Sequence, residues 1–108
     1  MAKGDTEMRQ ELDDLASELQ ATYAPRFANT AANLQVHRYS SPRLSHVVWG
    51  IGVSLETEHV YDHIDIDMAT RPRLGGRWKL LMPWEQARRA LEDQISAWSS
   101  PERGSTPS

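Results

Sequence analysis

The fold is decided by residues 46–69, HVVWGIGVSLETEHVYDHIDIDMA, in which apolar and polar residues alternate in two consecutive segments. Successive side chains of a β-strand point to opposite faces, so each segment predicts a strand with one buried face. A hairpin folded about Thr57 and Glu58 sets apolar residues opposite apolar residues, with Asp62 as the one interruption. A slip of one residue would destroy this match. The predicted pairs are Leu55 with Val60, Ile51 with Ile64, Trp49 with Ile66, and Val47 with Met68.

Two further segments alternate in the same way and predict a first strand at residues 34–39 and a fourth at residues 77–82. A tight turn at residues 40–43, which contains a proline, would set Val36 opposite Val47 and extend the buried face. In the fourth strand the inward-facing residues are Trp78, Leu80 and Met82.

Amphipathic helices are predicted on both sides of these strands, at residues 6–24 and at residues 83–98. Apolar residues recur there at spacings of three and four, which places them on one stripe of a helix. Pro25 ends the first helix and Pro83 begins the second. The stripes are Met8, Leu12, Leu15, Leu19 and Tyr23 in the first helix, and Trp84, Ala87, Leu91, Ile95 and Trp98 in the second.

The predicted fold class is α+β, with the order α-β-β-β-β-α. An antiparallel four-stranded meander carries two helices packed on one face, and its other face is exposed. The length of 108 residues fits one domain. We expect this domain over residues 1–98 and a flexible C-terminal tail, rich in Ser, Pro and Gly, over residues 99–108.

Composition excludes several classes of protein. The chain has no cysteine, so it has no disulfide, thiolate metal site or thiol nucleophile, and a reducing cytoplasm is the expected location. No apolar run reaches the length of a membrane span, so no membrane association is expected. Ten of the twelve basic residues are Arg, which is typical of a GC-rich bacterial or phage genome.

The exposed sheet face indicates a function in protein binding. Gly50 and Gly52 lie two residues apart in a predicted strand, and glycine in a strand often marks the close approach of another group. That group is either a side chain of the same sheet or a partner surface. Unpaired strand edges are a second route to a partner or to a homodimer. We therefore expect a non-enzymatic adaptor, chaperone-like protein, phage assembly component or phage inhibitor of a host protein, without a cofactor. The candidate binding residues are Tyr39, Val48, Gly50, Gly52, Tyr61, His63 and Trp98.

Charge is distributed unevenly along the chain and supports an alternative function. Residues 56–67 carry five acids and no base, whereas residues 71–89 carry six bases and one acid. Such polarity suits a charged partner, a nucleic acid or a head-to-tail self-contact. The candidate nucleic-acid-binding residues are Arg71, Arg73, Arg77, Lys79, Arg88 and Arg89.

A second alternative is a metal-dependent enzyme that uses imidazole and carboxylate groups of the exposed face. The predicted registers set His37 opposite His46, and they set Asp65 and His63 opposite the two glycines. Ordinary solvated polar residues account for the same pattern. The candidate ligands are His37, His46, His63, Asp65 and Asp67.

Overall fold

A computed structural model describes residues 4–99 and confirms the predicted fold class. Its four strands form one antiparallel sheet in the order β1-β2-β3-β4, and both helices pack on the same face. Of the tail predicted for residues 99–108, only Ser99 lies within the described residues, where it is the last residue of the second helix. The elements are α1 (Asp5–Tyr23), β1 (Asn33–Pro42), β2 (His46–Glu56), β3 (Tyr61–Pro72), β4 (Lys79–Leu80) and α2 (Trp84–Ser99).

The helices bury the stripes that their periodicity predicts, except that Tyr23 and Trp84 are only half-buried. α1 ends at Tyr23, and a short 3-10 turn at Ala24–Phe27 follows, because Pro25 removes a backbone donor. Neither helix within residues 4–99 is long and apolar enough to cross a membrane. The fully buried side chains of the helices include Met8, Leu12 and Leu19 of α1, and Leu91 and Ile95 of α2.

β1 pairs with β2 in a register that differs from the predicted one by six residues. Leu34 lies opposite Leu55 and Val36 opposite Val53, so the predicted pairing of Val36 with Val47 is wrong. The prediction assigned Pro42 to a turn, but β1 runs on to this residue. Proline is tolerated there because β1 is an edge strand.

β2 pairs with β3 two residues away from the predicted register. Ile51 lies opposite Ile66, and Val53 lies opposite Ile64. The turn is centred one residue later than expected: Thr57 N–H donates to Val60 O at 2.7 Å, and the Thr57 hydroxyl accepts the Val60 N–H at 2.9 Å. Further along, the register shifts by one residue between Trp49 and Gly50, which is a β-bulge.

β4 is only two residues long, in contrast to the predicted six. Trp78 is buried just before it, and its ring packs on Trp49 with centroids 4.3 Å apart. Leu80 is exposed rather than inward-facing, and Pro83 follows soon after. Because proline cannot donate to a ladder, the chain leaves the sheet and begins α2.

Replacing Asp5 by Ala should destabilise the fold. The Asp5 carboxylate accepts hydrogen bonds from Arg71 Nε at 2.9 Å and from the indole Nε1 of buried Trp78 at 2.8 Å. Loss of the second bond leaves a buried donor unsatisfied, so we expect the free energy of unfolding to fall by about 1–2 kcal/mol in urea titrations. The control Asp14→Ala removes an exposed carboxylate of the same helix and should change it by less than about 0.5 kcal/mol.

The stabilisation by Asp5 should also depend on pH. The hydrogen bond from Arg71 lowers the pKa of Asp5 below its ordinary 3.8, and Trp78 adds to this while burial opposes it. The wild-type advantage over Asp5→Asn should therefore be complete above pH 3.8 and disappear as the pH falls below it. An advantage that persists in strong acid would contradict this role of the carboxylate.

Candidate binding surfaces

The open face is the side of the sheet that neither helix covers. Its central strand is nevertheless buried: Val48, Gly50, Gly52 and Ser54 of β2 have almost no contact with solvent. Side chains of the two flanking strands cover them. β1 contributes Gln35, His37 and Tyr39, and β3 contributes Tyr61, His63, Asp65 and Asp67.

Gly50 makes room for Tyr39. A β-carbon placed at Gly50 would lie 2.7 Å from Cε1 and from the hydroxyl oxygen of Tyr39, and would overlap the backbone oxygen of Ile66. The Tyr39 hydroxyl crosses the glycine and donates a hydrogen bond to Asp67 Oδ1. Burial first, and this hydrogen bond second, raise the pKa of Tyr39 well above its ordinary value.

Gly52 makes room for His37 and Asp65 in the same way. A β-carbon there would lie 3.1 Å from His37 Nε2 and would overlap the Asp65 carboxylate. On the neighbouring positions of β3, His63 Nε2 lies 4.0 Å from Asp65 Oδ2, and the rings of Tyr61 and His63 are 5.4 Å apart. Internal packing of the sheet thus explains both glycines: the groups that approach them are side chains of the same sheet, the first of the two alternatives given above.

The candidate protein-binding residues separate into two groups. Val48, Gly50 and Gly52 are buried, and Trp98 is buried with its indole N–H donating to Asp62 Oδ2 at 3.0 Å. Tyr39, Tyr61 and His63 retain exposed surface, and Tyr61 is 62% exposed.

The predicted meeting of His37 and His46 is wrong. His37 lies opposite Gly52 and His46 opposite Pro72, because β1 pairs with β2 six residues away from the expected register. Six residues of strand separate Gly52 from His46, a distance of about 20 Å. Asp65 lies opposite Gly52, not opposite Gly50 as predicted, and His63 lies opposite Ser54.

The observed registers place only some of the candidate metal ligands close to one another. His63 and Asp65 are neighbours on β3, whereas Asp67 accepts the Tyr39 hydroxyl and His46 lies at the far end of the sheet. Within residues 4–99, no group of three or more His, Asp or Glu side chains is placed to hold a metal ion.

The basic segment does not form one continuous surface. Arg71 pairs with Asp5, and Arg88 pairs with Glu18 at 2.6 Å. Trp78 is buried and offers no ring on which a base could stack. Arg89 lies on α2, Lys79 lies on β4, and Arg73 and Arg77 lie in the loop between β3 and β4.

A shallow groove of about 660 Å³ adjoins β4 on the open face. Its lining includes apolar Val48 and the positively charged Arg77 and Lys79. The other lining residues are Ser45, His46, Asp67, Thr70, Arg71, Pro72 and Leu81.

Two loops lie beside this groove, and their meeting as one surface was not predicted from the sequence. Residues 42–44 and residues 72–74 both read Pro-Arg-Leu, and both Leu44 and Leu74 are almost completely exposed. The backbone N–H of Arg73 donates to Ser45 O at 3.1 Å, which holds the two loops side by side. The repeated tripeptide is the sequence signal that could have identified them.

The outer edge of β3 is the last candidate surface. β4 pairs only with Ala69 and Thr70, so no strand among residues 4–99 lies beside residues 61–67. On the helix side of this edge, Ile64 and Ile66 are only half-buried. Unpaired edges of this kind can accept another strand.

Alanine substitutions should distinguish the two glycines. Gly50→Ala should lower the free energy of unfolding by about 1–3 kcal/mol, because the backbone of Ile66 cannot move aside. Gly52→Ala should cost less, because only side chains obstruct it. Urea titrations of the double variants should show two different results. With Asp65→Ala present, Gly52→Ala should lower the free energy of unfolding by less than it does alone. With Tyr39→Ala present, Gly50→Ala should still lower it by most of its original amount. Equal costs for both glycines in all backgrounds would contradict the packing described.

Tyr39 should stabilise the fold only in its neutral form. Because its pKa is raised above the ordinary 10.0, its contribution should be complete below pH 10.0 and disappear as the pH rises beyond it. Ultraviolet titration of tyrosinate in the wild type and in Tyr39→Phe should give the same absorbance change around pH 10.0. An extra tyrosinate in the wild type at that pH would show that the phenol is not held by burial and Asp67.

No protein-family model matches the chain, and neither a curated protein nor a solved structure matches it.

Proposed function

We propose that this protein is a small, non-enzymatic cytoplasmic protein-binding module that takes up an extended segment of a partner as an additional strand beside β3. One observation carries the proposal: no strand within residues 4–99 pairs with residues 61–67, the edge of a four-stranded sheet whose last strand is only two residues long. Main-chain hydrogen bonds supply affinity in this mode of recognition, and alternate side chains supply specificity.

The backbone of β3 offers hydrogen-bonding groups at alternate residues. The bond from Thr57 N–H to Val60 O, at 2.7 Å, sets the alternation of the β2–β3 ladder. Counted from this pair, the backbone groups of His63 and Asp65 point away from β2 and are available to an incoming strand. Those of Ile64 and Ile66 point toward β2.

The side chains of β3 define the chemistry of the partner. Half-buried Ile64 and Ile66 face the helices, and an apolar side chain next to them would complete the core. Asp65 and Asp67 face the open side, where a basic side chain would be attracted. The expected partner segment therefore alternates apolar and basic residues.

The other edge of the sheet is less available. The Gln20 side chain of α1 donates to Leu34 O at 3.0 Å and accepts Val36 N–H at 2.7 Å. It occupies outward-facing backbone groups of β1 as a neighbouring strand would. This contact favours β3 as the binding edge.

Two copies of β3 would not pair well with each other. Asp65 and Asp67 of one edge would approach the same acids of the second edge, and like charges across a strand pair are destabilising. A different protein is therefore the preferred occupant. Such a module fits an adaptor, a chaperone-like protein, or a phage component that assembles with or inhibits another protein.

Peptide binding tests the proposal. The probe is a synthetic peptide of about eight residues that alternates valine and lysine, and the control peptide alternates valine and glutamate. We expect the lysine peptide to bind at least about tenfold more tightly, a difference of about 1.4 kcal/mol. Hydrogen exchange should show new protection of the His63 and Asp65 amides, with Ile64 and Ile66 already protected in the free protein.

His63→Pro is the variant that should abolish this binding. It removes an outward-facing N–H on an edge strand and breaks no bond of the β2–β3 ladder. The control His59→Pro lies in the turn that precedes β3 and should leave peptide binding unchanged. Binding of the lysine peptide without protection of His63 and Asp65 would indicate charge attraction alone and would contradict strand addition.

A further inference from the structure

We propose that copies of this chain associate head to tail, with the basic end of one molecule docked on the acidic end of the next. This inference goes beyond the proposed function, because it uses side chains at the two ends of the sheet and not the outward-facing backbone groups of His63 and Asp65. The basic end comprises Arg43, Leu44, Arg73, Leu74, Arg77 and Lys79. The acidic end comprises Glu56, Glu58, Val60 and Tyr61, at the turn between β2 and β3.

The basic end is a defined surface because backbone hydrogen bonds hold its two loops together. Arg43 N–H donates to His46 O at 2.7 Å, and Arg73 N–H donates to Ser45 O at 3.1 Å. Leu44 is 93% exposed, and Leu74 is fully exposed. Among the residues that the structure describes, the four cations of this end form no salt bridge.

Hydrogen bonds within the turn also hold the acidic end in a defined conformation. Besides the bonds between Thr57 and Val60, the Thr57 hydroxyl accepts the His59 N–H at 3.3 Å. Val60 is 55% exposed and Tyr61 is exposed next to it. Glu56 and Glu58 are exposed and form no ion pair with any residue from 4 to 99.

Exposed apolar side chains are concentrated at these two ends. The large hydrophobic residues exposed within residues 4–99 are Leu44, Leu74, Val60 and Tyr61 at the ends, and Leu80 and Leu81 beside the basic end. Opposite charge combined with exposed apolar residues makes the ends complementary to each other. The same chain therefore supplies both halves of an interface.

A single molecule cannot satisfy this complementarity by itself. The ends lie at opposite ends of the β2–β3 hairpin, about ten residues of strand apart, which is about 33 Å. Salt screens exposed charges beyond about 10 Å at an ionic strength of about 0.1 M. The attraction therefore acts between molecules and weakens as salt is added.

Head-to-tail contact joins two different patches, so it does not close into a twofold dimer but continues into open chains or rings. The contact would involve only two loops and one turn, whereas a stable interface buries about 1,200–2,000 Å². We therefore expect weak association that depends on protein concentration and salt.

Sedimentation velocity over a range of protein concentrations tests the inference. The wild type should form species larger than a dimer at low ionic strength and return to monomer at high ionic strength. Arg73→Gln with Arg77→Gln should weaken association about tenfold, and Glu56→Gln with Glu58→Gln should do the same. The controls Arg89→Gln and Asp93→Asn remove one charge of each sign from exposed positions of α2 and should have no such effect.

A mixture of the two double variants gives the sharpest result. Each variant retains one intact end, so the mixture should form a dimer and stop there. A wild type that stays monomeric at low salt and high concentration overturns the inference. Binding of the basic end to a nucleic-acid duplex or to anionic vesicles, without self-association, would also overturn it and identify a different occupant.

His63→Pro separates this inference from the proposed function. It blocks the edge of β3 but leaves both ends intact, so it should still associate head to tail. Loss of self-association in this variant would mean that copies pair through their strand edges, which contradicts the head-to-tail contact.

Discussion

The packing of Trp78 on Trp49, held by the carboxylate of Asp5, is the interaction on which the rest of the structure depends. Asp5 accepts two hydrogen bonds from the Arg71 guanidinium, at 2.9 and 3.1 Å, and one from the Trp78 indole. The Arg71 guanidinium also lies 5.2 Å from the centre of the Trp78 ring. These contacts join the start of α1, the end of β3 and the centre of β2 at one place. They also determine where the chain returns to the sheet after the loop between β3 and β4.

The position of that return leaves the edge of β3 open. With Trp78 anchored and Pro83 close behind it, only Lys79 and Leu80 can pair with β3. A longer β4 would have covered residues 61–67 and completed the core beside Ile64 and Ile66. The acids of β3 protect this edge from indiscriminate pairing, since charged residues on an edge discourage aggregation.

The open face of the sheet is not bare at its glycines, although glycine in a strand can leave room for a partner. Tyr39 and His37 from one side, and Asp65 and Asp67 from the other, close over β2 and bury its backbone. The face is therefore filled by its own side chains. The exposed large apolar residues among residues 4–99 lie mostly at the two ends of the sheet.

The sequence by itself determined the elements of this protein, their order and, outside β4, their inward faces, because hydrophobic periodicity is a local property of the chain. Trp49, Ile51 and Val53 face the core as their alternation predicts, and the stripes of both helices are buried apart from half-buried Tyr23 and Trp84. The paired glycines were also a valid signal of close approach, although the residue that approaches Gly50 is Tyr39, eleven positions away.

Only the tertiary structure decided the registers, the length of β4 and the groups that meet across the sheet. The turn at Thr57 is centred one residue later than expected, a bulge shifts the ladder between Trp49 and Gly50, and Pro42 ends a strand instead of forming a turn. Each changes the pairing by one or more residues without changing the pattern of apolar residues. The bond between Tyr39 and Asp67 depends on these registers, as does the separation of His37 from His46. Periodicity specifies which face a residue occupies, but only the pairing of strands specifies its neighbour.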